Sequence, residues 1–321
     1  MRSFLLSTTI KRNIQMPKWT IILLWAVCVS ARTQRNIMDH PNWHLVNDDI
    51  CGLSMSQRII GGMNARLGQY PWVVRLGYAF VNKNGEYLEK NVTFGCGGTL
   101  INKDYVVTAS HCLVDSPKDF YLVRIRLGEL NVMSNPDCEN GYCAPKYVDI
   151  EPSEIILHET YNKPTFRHDV AVIRLSQSVS FNEYIRPICL PETGNLDVSL
   201  VGQQAEVAGW GVVDIESGRS SSVLQAVKLP IVPTVLCQRI FDHIPIDDVL
   251  QLCVGGQIGK DSCRGDSGGP LMRVDSFGGP YKYYLFGIVS FGTARCGAST
   301  SPAVYTNVAR YLPWILDHVS P

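Results

Sequence analysis

Short runs of β-branched and aromatic residues, separated by Gly, Pro, Asn and Asp, dominate the chain beyond residue 31. Each run is long enough for one strand and is bounded by turn residues, which is typical of β-structure. The runs include YPWVVRL, YVVTAS, DVAVIRL, AEVAGWG and LFGIVSF. Many short strands with turns between them predict an all-β sandwich or barrel.

Only the tail VARYLPWILDHV has apolar residues at a spacing that suits a helix. Proline lacks a backbone N–H and is well tolerated in the first turn of a helix, so Pro313 is expected in that turn. The sequence therefore predicts one C-terminal helix on an otherwise β protein.

The N-terminus has a different pattern, because Lys11, Arg12 and Lys18 precede an apolar run, TIILLWAVCVSA, that ends at Ala31. A basic start, a short apolar run and small residues at its end are the layout of a secretory signal peptide. The run is shorter than the ~20 apolar residues that span a bilayer, which disfavours the alternative of a membrane anchor. The sequence predicts a signal peptide over 1–31 and a secreted, extracellular protein without a membrane anchor.

The composition is that of a globular protein, with 45% hydrophobic and 18% charged residues in a chain of 321. The formal net charge is zero, and no basic run points to a nucleic-acid partner. Cys28, one of eleven cysteines, lies in the predicted signal peptide. The even number that remains is consistent with complete disulfide pairing in an oxidising compartment.

The stretch KDSCRGDSGGP, Lys260 to Pro270, is too rich in glycine for a helix and lacks the alternation of a strand. It therefore predicts a loop. A nucleophilic serine needs a base and backbone N–H groups that stabilise an oxyanion. Ser267, between Gly265 and Gly268, is a candidate nucleophile, and the alternative is a glycine-rich turn with an incidental serine.

Two further motifs favour the nucleophile. His111 ends the run VVTASHC beside Cys112, and Asp169 opens the strand-like run HDVAVIRL. A single His is often a core residue, and a single Asp at a strand edge is often a turn former. His, Asp and Ser in this chain order, each in a distinctive setting, predict an acyl-transfer triad.

These motifs resemble those of the chymotrypsin–trypsin family of serine endopeptidases. The resemblance runs from about Arg58 to Ser320 through RIIGG, CGGTLI, TASHC, HDVAVIRL, RPICLP, AGWG, GKDSCRGDSGGP, IVSFG and PAVYTNV. It implies a peptidase domain over 59–321 that folds as two six-stranded antiparallel barrels, with the active site between them and a helix at the C-terminus.

The resemblance also implies the catalytic roles. Ser267 is expected to attack the scissile carbonyl and His111 to take its proton and later give it to the leaving amine. Asp169 is expected to fix the imidazole tautomer. The backbone N–H groups of Gly265 and Ser267 are expected to form the oxyanion hole.

Four positions match the substrate-binding residues of the family. Asp261 lies where the trypsin branch has a carboxylate at the bottom of the primary pocket, which implies protein substrates with Arg or Lys at the cleaved bond. Ser290 matches a residue that hydrogen-bonds the triad Asp. Gly292 and Ala303 match the pocket walls, and Ala303 replaces the usual Gly. The extra methyl group predicts a narrower pocket with an altered Arg/Lys preference.

The stretch SQRIIGG resembles a zymogen activation site. Cleavage after Arg58, by an upstream activating protease or by the enzyme itself, would free the ammonium of Ile59 to pair with Asp266. Residues 32–58 are then a pro-segment that Cys51 holds to the peptidase domain. The resemblance implies no required cofactor.

The cysteines pair under the same resemblance, which leaves Cys138 and Cys143 to close a small loop. The implied pairs are Cys51–Cys189, Cys96–Cys112, Cys237–Cys253 and Cys263–Cys296. The sequon NVT at Asn91 predicts N-glycosylation.

The stretch GELN…PDCE with its paired cysteines resembles the catalytic domains of arthropod clip-domain proteases, which act in immune and developmental cascades. Between the signal peptide and Arg58 the chain has only Cys51, so the six-cysteine clip domain is not expected there. A digestive, venom or haemolymph protease fits equally well, and serpin-type inhibitors are further expected partners.

The same stretch offers oxygen ligands for calcium from Glu129, Asn131, Ser134 and Asp137, and a polar solvated loop is the alternative. The rival function is a non-catalytic protease homologue that acts as a binding or cofactor protein. Such homologues usually lack the Ser or His of the triad, and both are present here.

Overall fold

The structure, a computed structural model, describes residues 36–55, 63–114, 117–192 and 199–321. The predicted signal peptide over 1–31, Arg58 and Ile59 lie outside the described residues. The strands are β1 Met63–Asn64, β2 Val73–Phe80, β3 Thr93–Leu100, β4 Tyr105–Thr108, β5 Phe120–Leu127, β6 Cys138–Glu139, β7 Tyr142–Cys143, β8 Val148–Ile150, β9 Pro152–Leu157, β10 Ala171–Leu175, β11 Gln204–Gly209, β12 Val212–Asp214, β13 Arg219–Ser220, β14 Gln225–Val232, β15 Gln251–Gly255, β16 Pro270–Asp275, β17 Lys282–Phe291 and β18 Pro302–Asn307. The α-helices are α1 His111–Val114, α2 Thr234–Ile240 and α3 Val308–Asp317, and short 3-10 helices span Ile37–Asp39, Trp43–Leu45 and Glu89–Asn91.

The first large sheet has the strand order β8–β5–β2–β3–β4–β10–β9, and all of its pairs are antiparallel. Only Glu151 separates β8 from β9, so the two are parts of one bent strand that forms both edges of the sheet. The bent strand closes this sheet into a barrel of six strands, which leaves no free edge for pairing with another chain.

The second large sheet has the order β1–β14–β11–β16–β17–β18–β15, again antiparallel, and β14 also pairs with β15. That extra pairing closes a ring of six strands, and β1 attaches to it from outside. Small hairpins form from β6 with β7 and from β12 with β13. The predicted fold of two antiparallel barrels and a C-terminal helix is confirmed.

The barrels are filled by the inward-facing residues of their strands. Leu76, Ile125 and Ile173 are fully buried in the first barrel, and Leu229 and Tyr305 in the second. Burial of such a side chain contributes ~1.5–3 kcal/mol each relative to exposure. The catalytic motifs lie at the ends of these strands, so the packed barrels hold them in place.

The expected position of Pro313 is wrong, because α3 begins at Val308 and Pro313 is an internal residue. One face of α3 carries Leu312, Ile315 and Leu316, all fully buried, against the barrels. Their burial outweighs the ~3 kcal/mol that an internal proline costs a helix.

Among the described helices, none has the length and apolar character needed to cross a membrane.

The segment before the predicted activation site packs on the end of α3. Ile37 and Val46 are buried in the same core cluster as the helix. The Asn42 amide donates to the carbonyls of Leu316 at 2.9 Å and Val319 at 3.0 Å. Carbonyls at the end of a helix have no partner within the helix, so Asn42 satisfies groups that would otherwise lose a hydrogen bond.

Five disulfides join the pairs of cysteines that were expected. They are Cys51–Cys189, Cys96–Cys112, Cys138–Cys143, Cys237–Cys253 and Cys263–Cys296. Beside the first, the Asn47 side chain exchanges two hydrogen bonds with the backbone of Leu190, at 2.8 and 2.6 Å. The segment over 37–55 is therefore held by side chains as well as by a disulfide.

Candidate active site

His111 and Asp169 meet at one end of the first barrel. His111 begins the single turn of α1 after β4, and Asp169 precedes β10, which pairs with β4. The Asp169 carboxylate accepts a hydrogen bond from His111 Nδ1 at 2.8 Å and another from the His111 backbone N–H at 2.9 Å. Because the carboxylate is an acceptor, the proton of a neutral His111 is on Nδ1, and the lone pair of Nε2 is the one that can accept a proton.

The second barrel also contributes to Asp169. Ser290 at the end of β17 donates its hydroxyl to the carboxylate at 2.5 Å, and Thr306 in β18 donates to the Asp169 backbone carbonyl at 2.7 Å. Asp169 is fully buried. A buried carboxylate is costly unless hydrogen-bonded, and three donors compensate for the lost water here.

Ser267 lies in the loop between Cys263 and Pro270, next to the His111 segment. Its carbonyl accepts the N–H of Gly97 at 2.8 Å. The adjoining Gly268 has a φ of +75°, and a Cβ on it would be only 3.2 Å from the sulfur of Cys112. This close approach needs glycine, and it brings the loop of Ser267 against the residue that follows His111.

The backbone around Ser267 turns tightly. Gly265 has a φ of +100°, in the region that favours glycine. Within the described part of the chain, neither the Gly265 N–H nor the Ser267 N–H donates to a protein acceptor. Two unengaged N–H groups beside a serine are the arrangement that can stabilise a developing oxyanion.

Asp266 points away from this turn and into the protein. Its carboxylate accepts the N–H groups of Gly211 and Cys263, both at 2.8 Å, and it lies so close to Gly209 and Gly211 that neither position has room for a Cβ. Burial raises the pKa of Asp266 to about 6. No cation of the described residues forms an ion pair with it, and Ile59, the expected partner, lies outside them.

Asp261 lies beside β15, where one of its oxygens would be 3.8 Å from a Cβ placed on Gly255. One carboxylate oxygen accepts the N–H of Gly297 at 3.1 Å, and the other is buried with no hydrogen-bond partner among the described residues. Burial, with a smaller contribution from the charge of Asp266, raises the pKa of Asp261 to about 6, although hydrogen bonds from the backbone of Gly297 and Ser262 oppose this effect. Among the described residues, no Lys, Arg or His forms an ion pair with this carboxylate.

Gly292 and Ala303, the two residues that match the pocket walls, lie against each other. Ala303 is buried opposite Val254 in the β15–β18 ladder. A Cβ placed on Gly292 would lie 3.1 Å from the Ala303 methyl group. The methyl group thus occupies the space beside Gly292, and its effect on the width of the pocket stays a prediction.

Sequence reasoning did not find the aromatic residues beside the triad. The Phe166 ring lies edge-on to His111 at 6.1 Å between centroids and 4.8 Å from Phe291. Phe291 directly follows Ser290 in the motif IVSFG, so the sequence alone could have placed it beside the site. Phe166 lies in a loop without a motif, and only the fold brings it to the site.

The four predicted calcium ligands differ in how many hydrogen bonds their oxygens already accept. Both oxygens of Asp137 are engaged, one by the hydroxyl of Ser134 at 2.6 Å and the other by the backbone N–H groups of Leu130 and Asn131. Glu129 is different, because its Oε1 is buried without a partner among the described residues. Burial, followed by the charge of Asp137, raises the pKa of Glu129. The other oxygen of Glu129 lies 3.3 Å from Arg126 Nη1, and the calcium site stays a prediction.

Among the described residues, one other group has metal-ligand spacing: Cys96, His111 and Cys112. The two sulfurs form a disulfide with each other. A disulfide sulfur is not the thiolate that binds metals, so this group does not fit a metal site.

The sequence profile of the family described as Trypsin matches residues 59–315. The chain belongs to the trypsin family. It is 38% identical over 317 residues to the Spaetzle-processing enzyme of Drosophila melanogaster, covering 92% of this chain and 77% of that protein. It is 36% identical over 296 residues to the CLIP domain-containing serine protease HP8 of Bombyx mori, covering 90% and 76%.

A solved structure gives the same result. The crystal structure of the Drosophila Grass clip serine protease of the Toll pathway matches this protease with a TM-score of 0.72 and 35% identity. The match covers 86% of this chain and 76% of that one. The resemblance to arthropod clip-domain proteases is therefore confirmed over most of the chain.

Ser290→Ala tests the support that the second barrel gives to Asp169. Loss of a hydrogen bond to a charged group costs ~1.5–3 kcal/mol, so kcat on an Arg peptide should fall about 10–100-fold while KM changes little. Steady-state kinetics at pH 8 measure this, with Ser178→Ala, at an exposed position, as the matched control. An unchanged kcat would show that Ser290 does not support the triad.

Proposed function

We propose that this protease is the secreted zymogen of a trypsin-like endopeptidase that cleaves peptide bonds after Arg or Lys. The observation that carries the proposal is the buried oxygen of Asp261 that has no hydrogen-bond partner among the described residues. A guanidinium or ammonium group would neutralise it, whereas a neutral side chain would leave the charge unpaired. Discrimination of that kind reaches ~10⁴–10⁵.

The triad geometry supports acyl transfer in two halves. Ser267 Oγ attacks the scissile carbonyl carbon while Nε2 of His111 takes its proton, and the N–H groups of Gly265 and Ser267 stabilise the oxyanion. The C–N bond then breaks as His111 returns the proton to the leaving amine. Water, activated by His111, releases the acyl group from Ser267 in the second half. Asp169 stays ionised and stabilises the imidazolium in each half.

Activation would supply the cation that Asp266 lacks. Cleavage after Arg58 creates the Ile59 ammonium, which can pair with the buried carboxylate and hold the turn from Gly265 to Ser267. The pKa of Asp266, raised by burial to about 6, is the electrostatic reason for this pairing. Loss of one partner from a buried ion pair typically costs ~3–5 kcal/mol, because the other charge is left uncompensated, so the active state would depend on both partners.

The proposed function is tested with the full secreted chain and its Ser267→Ala variant, both treated with a trace of trypsin. After cleavage at Arg58, the first protein should hydrolyse Arg and Lys chromogenic peptides and leave a Phe peptide intact. The variant should gain the same Ile59 N-terminus without activity. N-terminal sequencing and chromogenic assays measure both results.

A chain that is correctly cut at Arg58 yet hydrolyses none of the peptides would favour the alternative function, a non-catalytic homologue that binds other proteins. Hydrolysis of the Phe peptide alone would contradict the role of Asp261 and leave the triad in place.

Ala303→Gly tests the shape of the pocket. Removing the methyl group opens space opposite Gly292, and the guanidinium is larger than the ammonium. The ratio of kcat/KM for Arg over Lys peptides should therefore rise about tenfold, the scale of one methylene in a pocket. Ala294→Gly, at an exposed position nearby, is the control. An unchanged ratio and rate would show that Ala303 does not set the preference.

A structural calcium ion bound by Glu129, Asn131, Ser134 and Asp137 is a further proposal, supported by the buried Glu129 oxygen that has no hydrogen-bond partner among the described residues. Binding to the folded state alone raises the melting temperature by mass action. Calcium should therefore stabilise the wild-type protein over an EDTA-treated sample, and Glu129→Gln should lose most of this difference. Equal melting temperatures with calcium and with EDTA would exclude the site.

The names of the relatives support an extracellular cascade of an arthropod as the setting. The Drosophila relatives are a Spaetzle-processing enzyme and a protease of the Toll pathway. By analogy, the proposed partners are a protein substrate, an upstream activating protease and serpin-type inhibitors. Asn91 is exposed at the end of a 3-10 helix, which makes the sequon accessible for N-glycosylation in the secretory pathway.

A further inference from the structure

A row of stacked rings lies behind the triad, on the side of Asp169 that faces α3. The His168 ring stacks on His158 at 4.6 Å between centroids, His158 on Trp314 at 5.0 Å, and Trp314 lies 4.5 Å from His318. We call these four residues the histidine stack. It connects the residue directly before Asp169 with the C-terminal helix.

His168 has an unusual backbone. Its φ is +58°, in the left-handed region that costs a non-glycine residue ~1–2 kcal/mol. Its carbonyl accepts the N–H of Val170 at 2.9 Å, across Asp169. A residue stays in such a conformation when its surroundings hold it. The ring contacts of His168 therefore help to fix the backbone from which the Asp169 side chain extends.

Tyr311 of α3 holds His168 from a second direction. Its hydroxyl lies 3.2 Å from His168 Nδ1 and also faces the backbone N–H of His168. The N–H donates to the hydroxyl, and the hydroxyl proton is then available for Nδ1. This arrangement suits a neutral His168 whose proton is on Nε2, because protonation of Nδ1 would remove the acceptor.

The surroundings disfavour a charge on the stack. Burial, and next the Arg167 guanidinium, lower the pKa of His168, although Asp247 opposes this effect. Arg167 is itself paired with Asp247 at 2.7 Å. Two stacked imidazoles cannot both be charged without strong repulsion, so His168 and His158 titrate as a coupled pair.

His158 is affected in the same way from the other side. Burial, and next the charge of His168, lower the pKa of His158, and His318 adds to the effect. The Glu159 carboxylate opposes this lowering of the pKa of His158, and its oxygens lie 3.8 Å from His158 Nδ1 and 3.5 Å from His318 Nε2. Both inner histidines are therefore neutral at neutral pH and take up protons in acid.

We propose that His168 is a positioning residue for Asp169, and that proton uptake by His168 and His158 in acid displaces Asp169 from His111. The protease would then lose activity in acid through a second proton uptake, besides protonation of His111 itself. This inference rests on the proposed protease function, because its test measures peptide hydrolysis by the triad.

The test follows kcat against pH on an Arg peptide after activation. At saturating substrate the Arg side chain of the peptide stays paired with Asp261, so titration of Asp261 does not affect kcat. One essential deprotonated group lowers kcat about tenfold per pH unit in acid, and two lower it up to about a hundredfold. The wild-type acid limb should be steeper than tenfold per unit.

His168→Asn should return the acid limb to about tenfold per pH unit, with kcat at pH 8 within a few-fold of wild type. Asn tolerates the left-handed backbone, and its amide can keep a hydrogen bond to Tyr311. His243→Asn is the matched control, because the His243 side chain is 76% exposed. It should leave the steep limb unchanged.

Tyr311→Phe gives independent evidence if His168→Asn does not fold. It keeps the ring and removes the hydroxyl that favours neutral His168, so the acid limb should move to higher pH. An acid limb of tenfold per unit in the wild type, or no change in either variant, would overturn the proposal. A folded His168→Asn protein without activity at pH 8 would also overturn it, because His168 would then be needed irrespective of titration. Lack of wild-type activity at pH 8 would instead count against the proposed function.

Discussion

The buried carboxylate of Asp169 links the two barrels, because it accepts hydrogen bonds from both. Two of its donors come from His111 in the first barrel and the third from Ser290 in the second. Burying a charge costs free energy, and the three hydrogen bonds compensate for this cost only while both barrels keep their positions. A shift of either barrel would leave the carboxylate with unsatisfied oxygens. The catalytic geometry and the packing between barrels are therefore one energetic unit.

Two more carboxylates, in the loop around Ser267, also need partners for their charge. Asp261 and Asp266 both have a pKa raised by burial to about 6, and neither has a cation among the described residues. In the proposed mechanism the substrate supplies one cation and the new N-terminus the other. Because the charge of Asp266 also raises the pKa of Asp261, neutralising Asp266 would help Asp261 to stay ionised for its substrate. The loop thus couples activation to substrate binding through charge.

Much of this site could be predicted because its residues lie in local motifs. His111, Asp169 and Ser267 each have neighbours that mark them, and the disulfide pairs followed from the family resemblance. Phe166, Tyr311 and the histidine stack have no such marks, since only tertiary packing brings them to the triad. Pro313 was misplaced for a related reason: local helix rules favour the first turn, but the buried face of α3 decides where the helix begins.

The Cys51–Cys189 disulfide has a consequence for the cleaved protein. The bond closes a loop with a sequence separation of 138, and the predicted cut after Arg58 lies within that loop. Before cleavage the bond restricts the unfolded chain by loop closure. After cleavage it joins two chains, so that unfolding remains a reaction of one molecule and its midpoint is independent of protein concentration. Reduction of the bond would make refolding bimolecular, and noncovalent contacts such as those of Asn42, Asn47 and the buried apolar residues would have to recover the segment.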